Sequence, residues 1–111
     1  MHQNEMVKKR FADLENQYNS ISWNQPKDAS SYADSSEWQR WVTSAFNLIK
    51  NVLGEDSIHY QNFKSISTNA KGWEEELEQL NGIFLAAKDD YEGGYLFNIE
   101  SIILGEIFCD F

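Results

Sequence analysis

The stretch DSSEWQRWVTSAFNLIKNVLG, residues 34–54, decides the fold class. Trp38, Trp41, Val42, Ala45, Leu48, Ile49 and Val52 recur at steps of three and one. That rhythm puts them on one wide face of a helix with 3.6 residues per turn. Asp34 precedes the run and Glu37 stands three residues on, the spacing of a capping box in which each side chain satisfies a free backbone amide of the other. Gly54 closes the run, where a left-handed C-cap belongs.

Working outward, the segments on both sides carry the same period. Val7, Phe11, Leu14, Tyr18 and Ile21 form one apolar stripe, predicting a helix over about 4–20. Residues 22–34 are rich in Ser, Asn, Asp and Ala and hold the only proline, Pro26. They read as an irregular connection pinned to the body by Trp23 and Tyr32. After Gly54, Asp56 or Ser57 caps a short helix with Tyr60, Phe63 and Ile66 facing inward, and residues 65–72 read as a turn. Trp73, Leu77, Leu80, Phe84, Ala87 and Tyr91 then keep helical phase over about 73–92. The Asn81-Gly82 pair, a hairpin signal between strands, sits inside that unbroken phase, so it predicts a weakened helix. Gly93-Gly94 ends it.

A fifth helix is expected over 95–111. Leu96, Phe97, Ile103, Leu104, Ile107, Phe108 and Phe111 cover one face, and Tyr95, Ile99, Ile102 and Cys109 a second. A helix apolar on two faces is either buried centrally or shared with another chain. The expected architecture is an all-α single domain over 1–111, an irregular or up-down bundle of four long helices and one short one.

At 111 residues with 41% hydrophobic content, the chain has the size and apolar matter of one domain. Its single Cys109 rules out an intrachain disulfide and fits a reducing cytoplasm. Met1 to Arg10 lacks the apolar run of a signal peptide, and no stretch has the apolar length of a membrane span. Charge is unevenly placed. The net −9 lies entirely in residues 54–111, because residues 1–53 balance. Such a field repels nucleic acid and anionic lipid and attracts basic partners, though a merely solvated surface has the same composition.

The run 41–48, Trp-Val-Thr-Ser-Ala-Phe-Asn-Leu, continuing to Gly54-Glu55-Asp56-Ser57-Ile58-His59-Tyr60, resembles the N-terminal region of a group of uncharacterised bacterial helical proteins. The stretch Ala86-Ala87-Lys88-Asp89-Asp90-Tyr91-Glu92-Gly93-Gly94 and the apolar segment after it are similar to the same group. The resemblance covers about residues 38–111. It implies no activity and no catalytic residues. It does imply that this chain is the N-terminal piece, or a stand-alone version, of something longer.

No constellation nominates chemistry. Asp56 and His59 have ligand-like spacing, but zinc needs three or four protein ligands and the only other histidine is His2. The simpler reading has Asp56 as a helix cap and His59 at that first turn. Asp89, Asp90 and Glu92 lack the alternation of a calcium loop. They stand at a helix C-terminus, where the dipole disfavours acids, which favours a role toward a basic partner. Glu74, Glu75, Glu76 and Glu78 open the fourth helix, where negative charge complements the dipole without any function. No triad and no phosphate-binding glycine loop is present in the sequence. Trp38, Trp41 and Trp73 are in phase with helix stripes and read as core, leaving Trp23 as the one tryptophan for surface recognition.

These observations predict no enzyme, no metal, no cofactor, and no direct contact with nucleic acid or membrane. The leading expectation is a protein-interaction or oligomerisation module. It would act through Ile99, Ile102, Phe108 and Phe111 of the last helix, with Asp89, Asp90 and Glu92 beside them. The alternative is a small acidic inhibitor of a nucleic-acid-binding protein, the Glu74–Glu78 and Asp89–Glu92 clusters standing in for phosphates.

Overall fold

The computed structural model describes residues 2–93, with side chains from Glu5 onward. The expected fifth helix, with Ile99, Ile102, Phe108 and Phe111, lies outside the described residues. Within them the chain is mostly helical: α1 (His2–Asn19), β1 (Trp23–Asn24), β2 (Tyr32–Ala33), α2 (Ser35–Leu53), α3 (Ile58–Thr68) and α4 (Glu74–Glu92). Four helices and a two-stranded antiparallel ladder therefore replace the five-helix description among these residues. No helix among them is long and apolar enough to cross a membrane.

The apolar stripes of the four helices meet in one core. Phe11, Leu14, Trp41, Ala45, Ile49, Phe63, Leu77, Leu80, Phe84 and Ala87 are fully buried. Trp41 lies at its centre. Its ring is 4.9 Å from Tyr18 of α1, 6.1 Å from Phe63 of α3 and 5.7 Å from Phe84 of α4. Its indole N–H donates to the Leu14 carbonyl at 2.9 Å, so the polar atom of the largest core side chain is satisfied. α4 runs antiparallel to α1, since Phe11 packs on Phe84 and Tyr91 while Glu74 and Glu78 lie near Tyr18. An ion pair between Lys88 and Glu15 ties the same two helices. Phe46 stacks on Tyr60 and Phe63 and fixes α3 against α2.

The helix ends hold three departures from expectation. Asp34 caps α2 by accepting from the Glu37 amide at 3.2 Å, as the spacing predicts. The reciprocal half of the capping box is not made, because the Asp34 amide donates to the Ser22 carbonyl instead. Glu37 is thereby released to accept from the Ser22 amide and hydroxyl, both at 3.3 Å, clasping the end of the α1 region to the start of α2. Gly54 has φ 89° and ψ 162°, a conformation open to glycine but extended rather than left-handed helical. Of the two expected candidates Ser57 caps α3, accepting from the Tyr60 amide, and Asp56 does not. α3 also runs on to Thr68, through the first half of the expected turn.

The connection 22–34 is more ordered than its composition predicts. Trp23 pairs with Ala33 and Asn24 with Tyr32. The ladder then docks on the start of α4: the Ala33 amide donates to Gly72 O and the Glu74 amide to Ser31 O, both at 2.9 Å. Backbone hydrogen bonds, buried Ala33 and Trp23, which packs against the core as expected, hold it down, while the Tyr32 ring stays exposed. α4 itself passes through Asn81-Gly82 without a break, as its phase predicts.

Candidate interaction surface

The acids singled out by sequence, Asp89, Asp90 and Glu92, occupy the last two turns of α4. They do not form one patch. Successive residues project about 100° apart around a helix, and Asp90 turns toward α3, where its carboxylate meets His59 Nε2 at 2.8 Å. Asp89 and Glu92 stay exposed. His59 therefore pairs across to α4 instead of serving the first turn of α3. Among the described residues no three His, Cys, Asp or Glu side chains gather as a metal site.

The glutamates at the other end of α4 divide as well. Glu76 folds back, its Oε1 accepting from the Lys71 amide at 2.8 Å and the Trp73 amide at 3.1 Å, so it is spent on the helix start. Trp73 is thereby fixed as the N-cap residue with its ring outside the helix stripe. It is 42% exposed, not core as its phase suggests, and it meets the 41% exposed Tyr32 edge-on at 6.1 Å. The signal was present: Glu76 falls at the third helical position only if Trp73 is the cap.

The carboxylates of Glu74, Glu75 and Glu78 make no hydrogen bond or ion pair among the described residues. They stand beside two depressions that flank the start of α4. One, of about 370 Å³, is lined by Ser30, Trp73, Glu75 and Glu76. The other, of about 300 Å³, is lined by Tyr18, Asn19, Trp23, Gln25, Glu74 and Glu78. Each has a tryptophan wall and two carboxylates. Burial pushes the Tyr18 hydroxyl pKa up, and the negative charges of Glu78 and Glu74 push it further. The phenol thus feels both carboxylates across the second depression. A larger groove of about 650 Å³ runs along α3 between Glu55 and Asn69, mostly among exposed polar side chains.

What this end of the molecule can do follows from its parts. Half-exposed indole faces attract cations through the ring quadrupole, and unpaired carboxylates accept from N–H donors. Both favour a positively charged group and disfavour phosphate. No family model, curated protein or solved structure matches the chain.

Proposed function

We propose that the chain is a non-catalytic interaction module that engages a basic protein partner through the end of the fold formed by the 23–33 ladder and the start of α4. The supporting observation is the pair of tryptophan-walled depressions, each bordered by two glutamates, three of the four carboxylates having no partner among the described residues. The net charge of −9 would speed encounter with such a partner and make binding salt-dependent. A phosphate-mimicking inhibitor of a nucleic-acid-binding protein is one form of this reading. Its acidic surface would be Glu74, Glu75 and Glu78 rather than the Asp89–Glu92 cluster, of which Asp90 is committed to His59.

Calorimetric titration with an arginine-rich decapeptide, against an oligoglutamate control, tests the proposal. Binding that weakens steeply between low and physiological salt, and that Trp73→Ala or Glu75→Gln reduces, is expected. Equal heats with both peptides, or binding indifferent to salt, would refute it. Association through the segment 95–111 is a separate reading supported by its apolar pattern. It predicts a concentration-dependent dimer by sedimentation that Phe108→Glu abolishes without loss of helicity. A wild-type chain that stays monomeric at high concentration would remove self-association.

A further inference from the structure

The geometry points to the Tyr18–Trp23 depression as a socket for one arginine side chain, so that the basic partner proposed above is read through an inserted guanidinium. This inference rests on the interaction-module reading and adds the ligand group and its seat.

The socket is built from three separate pieces of chain. Tyr18 and Asn19 come from the end of α1, Trp23 and Gln25 from the ladder and the residues after it, and Glu74 and Glu78 from the first turns of α4. Glu74 and Glu78 are four residues apart and so share one face of the helix. Glu74 and Glu78 bring carboxylate acceptors, and Asn19 and Gln25 side-chain amides able to accept, to a lining that also includes two aromatic residues. Trp23 has no ring partner among the described residues, whereas Tyr18 already packs on Trp41.

The acceptor-rich lining selects among cations. A quaternary ammonium has no N–H to give the carboxylates and would use only the rings. A lysine ammonium presents a compact, strongly hydrated charge with three donors. A guanidinium is planar, gives up hydration more readily, stacks on an indole face and offers five donors in a fork that suits carboxylates. The depression, about 300 Å³, also has room for the methylene stem of such a side chain. The ladder holds Trp23 in place by its pairing with Ala33, which is itself bonded to Gly72. One wall is thus set before a ligand arrives, and that lowers the ordering cost of binding.

The experiment titrates the full chain with N-acetyl-arginine methylamide while following the indole N–H resonances by NMR. The Trp23 resonance should shift and saturate in the millimolar range, the Trp38 and Trp41 resonances should not, and blocked lysine and tetramethylammonium should bind at least several-fold more weakly. Glu74→Gln combined with Glu78→Gln should weaken arginine binding about tenfold or more. Both glutamines keep the side-chain shape, and a double variant whose helicity by far-ultraviolet dichroism equals wild type reads charge and acceptor strength rather than folding. Absence of a Trp23 shift, equal binding of tetramethylammonium, or indifference to the double variant would overturn the socket. If the arginine-rich decapeptide binds and blocked arginine leaves Trp23 undisturbed, the socket fails and the interaction module stands. If neither binds, both fail.

Discussion

The indole N–H of Trp41 reaches across the core to the carbonyl of Leu14 at 2.9 Å, joining α2 to α1 at the point where all four helices meet. Leu14 lies within α1, so its carbonyl can keep its intrahelical bond when the indole is removed. Trp41→Phe therefore loses one net hydrogen bond, about 1 kcal/mol, and leaves space that the close-packed rings cannot refill, about another 1–2 kcal/mol. Urea unfolding followed by far-ultraviolet dichroism should show a loss of about 2–3 kcal/mol. A loss near zero would mean that the core closes without this side chain.

Two glycines respond in opposite directions to the same methyl group. Gly82 lies inside α4, where an added Cβ meets nothing within 4 Å, so Gly82→Ala should stabilise by about 0.5–1 kcal/mol. Gly72 has φ 99°, and its added Cβ would stand 2.6 Å from Trp38 Nε1. Gly72→Ala should destabilise by more than about 2 kcal/mol through strain and overpacking together. Thermal melts of the two variants check this, and matching shifts would contradict it.

Alkaline pH should destabilise the fold. The Tyr18 pKa is raised above its ordinary 10.0 by burial and then by Glu78 and Glu74, and the Lys88 pKa above 10.5 by its hydrogen bond to Glu15. In both cases the folded state holds the proton more tightly than the unfolded chain. Their contribution is therefore complete below about pH 10 and is lost as pH rises through the folded values. Melts between pH 8 and 11.5 should decline at the top of that range, and Tyr18→Phe should flatten part of the decline. A profile identical in the variant would exclude Tyr18.

The three acids near the end of α4 should separate on mutation. Asp90→Asn breaks the contact with His59, whose other ring nitrogen is buried without a partner among the described residues. It should cost about 0.5–1 kcal/mol, a modest value because Asp90 is partly exposed. Asp89→Asn and Glu92→Gln should change stability by less than about 0.5 kcal/mol. Chemical denaturation distinguishes the three, and an equal effect from all would return them to a single cluster.

What the sequence made legible was periodicity. The stripes from Phe11 to Ile21 and from Trp38 to Ile49, the inward Phe63, and the passage of α4 through Gly82 all follow from apolar spacing, which reports burial directly. Side-chain destinations at helix ends were not legible. Glu37 fits a capping box by spacing, but Ser22 took the amide it would have bonded, and that competitor is a tertiary neighbour. Trp73 kept helical phase but belongs to the cap, where phase carries no information about burial. The socket joins residues from 18 to 78, a closeness created by folding. Of its lining, Trp23 was marked for recognition by its place in a polar stretch, and Glu74 and Glu78 only as acids of the inhibitor alternative.

The stem of the 23–33 ladder is held from two sides, by the Ser22–Glu37 clasp and by the bonds to residues 72 and 74. Its tip, residues 27–29, is exposed and takes no part in those bonds. Foreign sequence spliced between Lys27 and Ala29, such as an epitope tag or a dye-accepting cysteine, should therefore leave the melting temperature intact. The tip offers an attachment point close to the proposed binding end that does not touch the core.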